Sequence, residues 1–160
     1  MSQLLETRPK GLLRWALHAP RWLYHSGLGW ILGDRFLLLH YIGRKSGKPR
    51  ETIIEVVDHD RASDTYFVAS GWGTKSDWFQ SIRANPGVRI QVGRRTIEAD
   101  VHILDLDEAA KRLAGYAKNH RTAFHELSLL LTGKALKGTD QECRDLAHTV
   151  PVIAFRPKQS

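Results

Sequence analysis

Apolar positions along the chain change their period more than once. Over residues 11–32, Leu12, Leu13, Trp15, Ala16, Trp22, Leu23, Leu28, Trp30, Ile31 and Leu32 recur at helical spacing. Pro20 divides them into two short helical pieces. From residue 35 the pattern becomes β-like. Phe36 to Ile42 is a mostly apolar run, expected as a strand buried on both faces. Thr52 to Val57 and Tyr66 to Ser70 predict two more strands, with Asp58-His59-Asp60-Arg61 as the turn between them.

Ser76 or Asp77 opens a short helix through Arg83, which Asn85-Pro86-Gly87 stops. Val88, Ile90 and Val92 then alternate with polar residues, as do Ile97, Ala99, Val101 and Ile103 beyond Gly93-Arg94. This predicts a hairpin with Gly93 opening a type II′ turn. Asp105 with Glu108, and Thr139 with Glu142, have capping-box spacing and start two helices. Between them another helix is expected from Arg121 to Leu131, ended by Gly133. Pro151 to Phe155 reads as a closing strand, its proline at an edge or at strand entry.

Strands outnumber the crossovers that a doubly wound sheet would need. The expected class is therefore α+β: a small, mostly antiparallel β-barrel with helices packed outside. The 160 residues fit one domain, with residues 1–34 as an amino-terminal helical extension.

Charge sharpens the picture. The net charge of +7 suits an anionic partner (nucleic acid, an anionic membrane or a small polyanionic cofactor), or a solvated basic surface with no partner. Nucleic acid is disfavoured, because the basic residues are scattered and no nucleic-acid motif is present. The single cysteine, Cys143, excludes an internal disulfide and suggests a reducing, cytoplasmic compartment. A nucleophilic role for it is disfavoured, because a catalytic cysteine needs a base and an activating setting that a sequence does not show. His120 and His125 are five residues apart, poor spacing for two ligands on one helix face, so no metal site is expected. The apolar stretch at the amino terminus is broken by Arg14, Pro20, Arg21 and Asp34, which argues against a membrane span. Its three tryptophans suit core or interface packing, or else a peripheral membrane contact through residues 11–32.

The densest candidate chemistry is Gly43-Arg44-Lys45-Ser46-Gly47-Lys48-Pro49-Arg50, a turn with four cations in seven residues between two strands. Glycines allow close backbone approach, and Arg and Lys suit phosphate oxygens. The run is not a Walker loop: its glycines are too close, and Pro49 disfavours a helix beginning at Lys48.

Together with Val68-Ala69-Ser70-Gly71-Trp72-Gly73 and Asp77-Trp78-Phe79-Gln80-Ser81-Ile82-Arg83-Ala84-Asn85-Pro86, this run resembles the deazaflavin-dependent nitroreductase family of split β-barrel flavin and deazaflavin oxidoreductases. The resemblance covers residues 35–104 most strongly and the closing strand near 150–157 more weakly. It implies a split barrel and the deazaflavin coenzyme factor 420, with hydride transfer to a quinone, enone or nitro compound and often a homodimer. It carries phosphate contacts onto Lys45 and Arg50, with Arg44, Ser46 and Gly47 alongside. It carries ring-edge and backbone contacts onto Ala69, Ser70, Gly71 and Trp72, and places Trp78 and Ser81 beside the cofactor.

The chain departs from the family's nitroreductases at Cys143-Arg144-Asp145-Leu146-Ala147-His148-Thr149-Val150, where pocket tyrosines are absent. His148 is a candidate proton donor, and Tyr116 and His120 are further pocket candidates, but a surface or packed role is the default for each. No catalytic acid is assigned. Competing readings are an FMN-dependent reductase on the same barrel and a non-catalytic deazaflavin carrier.

Overall fold

The computed structural model describes residues 35–70 and 73–159. The expectations for residues 1–34, including the helices and membrane contact of residues 11–32, lie outside the described residues. Six strands, β1 (Phe36–Ile42), β2 (Pro49–Asp60), β3 (Thr65–Ala69), β4 (Gly87–Val92), β5 (Arg95–Ile103) and β6 (Val152–Pro157), form a closed barrel in the order β1-β2-β3-β6-β5-β4. Every pairing is antiparallel. Among the described residues four α-helices accompany it: α1 (Asp77–Ala84), α2 (Leu106–Asn119), α3 (Arg121–Thr132) and α4 (Asp140–Thr149). The expected α+β split barrel is thus present.

Period-two alternation sets which side chains enter the barrel. Leu37, Leu39, Ile54, Val56, Tyr66, Val68, Val88, Ile90, Val92, Ile153 and Phe155 fill it. Helix α1 lies at the end of the barrel marked by the β1–β2 turn and adds Phe79 and Ile82 to this interior cluster. A second apolar layer lies outside, where Val57, Phe67, Val152 and Ala154 meet Leu113, Phe124, Leu127, Cys143 and Leu146 from the other helices. Strands β3 and β6 are therefore buried on both faces.

The local signals act as their chemistry requires. Gly93 has φ of 57° while Arg94 does not share that region, as a II′ turn demands. Asp105 and Thr139 accept hydrogen bonds from the Glu108 and Glu142 amides, at 2.9 and 3.2 Å. Pro151 precedes β6, at strand entry and not on an edge, because closure leaves no edge there.

One expectation fails. Asp58-His59-Asp60 is not a turn: β2 runs through it, and the chain reverses at residues 61–64. The register shifts between Val56 and Asp58, a bulge, and pairing then continues from Asp58↔Phe67 to Asp60↔Thr65. Tertiary partners absorb the polar side chains that made the segment look like a turn. Asp58 accepts from Arg112 at 2.7 Å, and the His59 ring stacks on Tyr66 with centroids 3.9 Å apart. Arg112 also lies over the Phe67 ring at 4.0 Å, tying α2 to the barrel wall.

Glu55 is the exception to an apolar outer layer. It is buried between β2 and α2, and Oε1 accepts from the Tyr116 hydroxyl and from Arg35 at 3.4 Å. Oε2 is buried with no hydrogen-bond partner among the described residues. Burial pushes the Glu55 pKa from 4.5 up to about 7, against the opposing pull of Tyr116 and Arg35.

The folded chain then holds a proton that the unfolded chain releases, so stability falls as pH rises from about 4.5 through about 7 and levels off above. By linkage the fall attributable to this group is about 3 kcal/mol. Glu55→Gln should flatten this slope and raise stability at pH 8. Urea unfolding of both proteins between pH 5 and 8.5 is the check, and parallel pH profiles would contradict the assignment.

Candidate functional site

The β1–β2 turn is built by its glycines and its serine. The Gly43 amide donates to the Lys48 carbonyl at 2.9 Å, and the Gly47 amide donates back to the Gly43 carbonyl at 2.8 Å. Gly47 has φ of 67°, the left-handed region that favours glycine. The Ser46 hydroxyl accepts from the Lys48 amide at 3.2 Å, so it braces the turn. A Cβ on Gly43 would stand 2.8 Å from Ser46 Oγ and 3.3 Å from Arg50 Cδ. Gly43 is therefore needed for close approach: the Arg50 stem crosses directly over it.

The turn is docked on α1. Ser81 is fully buried, and its Oγ accepts from the Arg44 amide at 3.2 Å. Asp77, the first residue of α1, accepts from Arg50 Nη1 at 3.0 Å and lies 3.9 Å from Arg44 Nε. Lys45 and Lys48 are exposed and make no ion pair among the described residues. The four cations and Asp77 leave three net positive charges on one face of the barrel end. Trp78 is half-buried against the interior cluster, its ring edge-on to Phe79.

Ser70 joins this group through α1. Its amide donates to the Pro151 carbonyl at 2.9 Å. Its hydroxyl donates to the Gly73 carbonyl at 2.7 Å and shares a 2.9 Å hydrogen bond with the hydroxyl of Ser76, the residue before α1. Ser76 consequently gives no side-chain cap to the helix it opens. The Ala69 side chain packs into the outer helical layer, leaving its backbone for any contact with a bound group. Gly71 and Trp72 lie outside the described residues.

The structure thus brings together Arg44, Lys45, Ser46, Gly47, Arg50, Ser81 and Trp78, with Ala69 and Ser70 at the strand end that leads into the same helix. Arg50 also lines an open groove of about 680 Å³, together with Ile42, Pro49 and the Arg89–Glu98 ion pair.

The other candidates are placed elsewhere. Tyr116 is committed to Glu55 in the outer layer, and burial first, then the Glu55 charge, raises its pKa. His120 is exposed beside Tyr116, with ring centroids 5.5 Å apart, and His148 is exposed on α4. Cys143 is buried, and burial followed by the charges of Glu142 and Asp140 pushes its thiol up to about 11. It packs in the outer apolar layer. Sequence reading saw Asp77 only as a helix opener; nothing local shows that it reaches an arginine 27 positions earlier.

Solved structures share this fold. A protein from Listeria innocua described as a candidate pyridoxamine 5′-phosphate oxidase is 16% identical, with 86% of this chain and 94% of that chain covered and a TM-score of 0.54. A pyridoxamine 5′-phosphate oxidase-related, FMN-binding protein from Nostoc punctiforme is 13% identical, with 86% and 79% covered and a TM-score of 0.52. An F420-H2 dependent reductase is 19% identical, with 78% and 96% covered and a TM-score of 0.47. No curated protein matches the chain. At these identities the likeness to the Listeria innocua and Nostoc punctiforme proteins establishes the fold alone.

The family model described as F420H(2)-dependent quinone reductase matches residues 25–128, and the chain belongs to that family. It is an oxidoreductase that depends on the deazaflavin coenzyme F420. No helix among the described residues is long and apolar enough to cross a membrane.

The Ser81 contact is open to test. Ser81→Ala should cost about 1 kcal/mol of stability, the usual loss for one internal hydrogen bond. It should also speed amide hydrogen exchange at Arg44. Unchanged protection of that amide would show that the turn is held by other means.

Proposed function

We propose that this chain transfers a hydride between reduced F420 and a small organic acceptor, a quinone, enone or nitro compound, and that the Gly43–Arg50 turn holds the coenzyme's anionic part. The observation that carries this reading is the docked basic turn, with Lys45 and Lys48, exposed and without an ion pair among the described residues, beside Arg44 and Arg50. The residues fit such a group. Its chain neighbours aside, no heavy atom of the described residues lies within 4 Å of where a Gly47 Cβ would stand, so a ligand can approach its backbone.

In this reading Lys45 supplies a point charge and Arg50 a planar fork for phosphate oxygens, with Arg44 adding field and Ser46 and Gly47 shaping the turn. The backbone at Ala69 and Ser70, with Gly71 and Trp72, borders the ring, while Trp78 and Ser81 hold α1 against the site. When bound, the deazaflavin supplies two-electron hydride chemistry; alignment and water exclusion are the protein's part. A quinone is the acceptor class in the family's description, and it heads the list to be tried here. The single cysteine supports a reducing, cytoplasmic setting. Self-association as a homodimer and peripheral membrane contact through residues 11–32 are separate parts of the proposal. Light scattering and liposome co-sedimentation read them.

Lys45→Ala and Arg50→Ala should each weaken coenzyme binding by about 1–3 kcal/mol, the range for a lost charge-assisted contact. Fluorescence titration with oxidised F420 and, in parallel, FMN measures this. If affinity is unchanged in the folded double variant, the turn is not the phosphate site. Preference for FMN would move the chain to flavin chemistry on the same barrel. Tight F420 binding without oxidation of the reduced coenzyme by quinones, enones or nitro compounds would mark a carrier.

A further inference from the structure

The proposed anion site already contains an anion belonging to the chain. Asp77 comes from α1, yet its carboxylate lies among the cations of the β1–β2 turn. The contact is of an easily broken kind. Arg50 is 54% exposed at its side chain and Asp77 is 48% exposed, so solvent screens the pair. It is also incomplete. Asp77 meets Arg50 through Nη1 alone, and Arg44 Nε at 3.9 Å is beyond hydrogen-bonding distance. A phosphate group can offer two oxygens to the same guanidinium fork, which one carboxylate oxygen does not do here.

The surrounding contacts keep Asp77 in place. The turn is fixed on α1 by the Arg44 amide and Ser81, and the start of α1 is fixed on β3 by the hydroxyls of Ser76 and Ser70. Asp77 is one residue past Ser76, so its backbone stays while its side chain is free to turn. Removing its charge therefore changes the electrostatics of the turn without dismantling either anchor.

We propose that Asp77 is an internal counter-anion of the coenzyme site: it holds Arg50 and yields it to an incoming phosphate-bearing anion, so that it sets the affinity of the turn for such ligands. The inference rests on the coenzyme reading for the identity of the ligand, but its electrostatic content does not. Asp77 tempers a strongly basic loop, so that binding requires a ligand able to displace a carboxylate. A weakly held surface anion does not meet that condition.

The test is a pair of titrations of the intact protein, with oxidised F420 followed by fluorescence and inorganic pyrophosphate followed by calorimetry. Asp77→Asn keeps the shape and removes the charge. It should tighten both ligands about two- to fivefold at low ionic strength, the scale of an exposed ion pair. The gain should shrink in an Arg50→Ala background and fade as salt is raised. Asp77→Ser, which keeps a residue favoured at helix starts, is the second variant should the first fold poorly.

Weaker binding in Asp77→Asn would overturn the proposal, because it would mean that the carboxylate holds Arg50 ready for the ligand. Equal binding would overturn it as well. Tighter pyrophosphate binding with no F420 binding in any form would support the role of Asp77 and remove the coenzyme reading. If neither ligand bound to any form, both would fall.

Discussion

Insertion of β6 between β3 and β5 is the constraint on which the rest of the structure depends. Without it both neighbours would be open edges, and the barrel would be a five-strand sheet with an exposed apolar interior. The strand is buried on both faces, with Ile153 and Phe155 inside and Val152 and Ala154 beneath the helices. It therefore joins the two apolar layers. It also fixes the site at a distance. The Ser70 amide donates to Pro151, just before β6, and a Cβ on Gly73 would stand 2.9 Å from the Thr149 carbonyl at the end of α4. The end of the chain thus sets where the link into α1 begins, and α1 in turn receives the basic turn.

Polar groups are used differently in the two regions. In the outer layer the Glu55 carboxyl is enclosed and costly. Glu55 pairs with Tyr116 and Arg35 through one oxygen and, among the described residues, leaves the other without a partner, an arrangement that favours a proton over a charge. Arg112 satisfies Asp58 and Glu108 while lying over Phe67, so that one cation fastens α2 to two strands. At the β1–β2 end the charges are exposed, and their pairing is loose. Fixed charge here secures packing in the one region and stays available for exchange in the other.

Much of this was legible in the sequence, for reasons that differ by element. Alternation around Gly93 specified the β4–β5 hairpin because both strands have one buried face. Asp105 and Thr139 marked helix starts because their partner amides lie three residues away. The basic turn was legible because its cations and glycines are contiguous. What failed depended on distant partners. Asp58 and His59 looked like turn residues until Arg112 and Tyr66 were brought beside them. Asp77 looked like a helix opener because Arg50 is remote in sequence, and Glu55 carried no local sign of Tyr116. The family's motifs supplied the coenzyme, whereas composition narrowed the partner only to an anion.

The separation of the two charge regimes bears on how such a site can vary. A buried pair such as Glu55–Tyr116 cannot lose one member without leaving the other enclosed and unsatisfied, so change there acts on folding first. The turn is different. Its backbone is held by the Gly43–Lys48 and Arg44–Ser81 contacts, none of which uses a cationic side chain. Lys45, Lys48 and the Arg50 guanidinium can therefore be exchanged, removed or reversed in charge with little effect on the scaffold. Ligand affinity and fold stability are assigned to different atoms of the same eight-residue segment. This is what allows one barrel to keep its architecture while its anion preference changes.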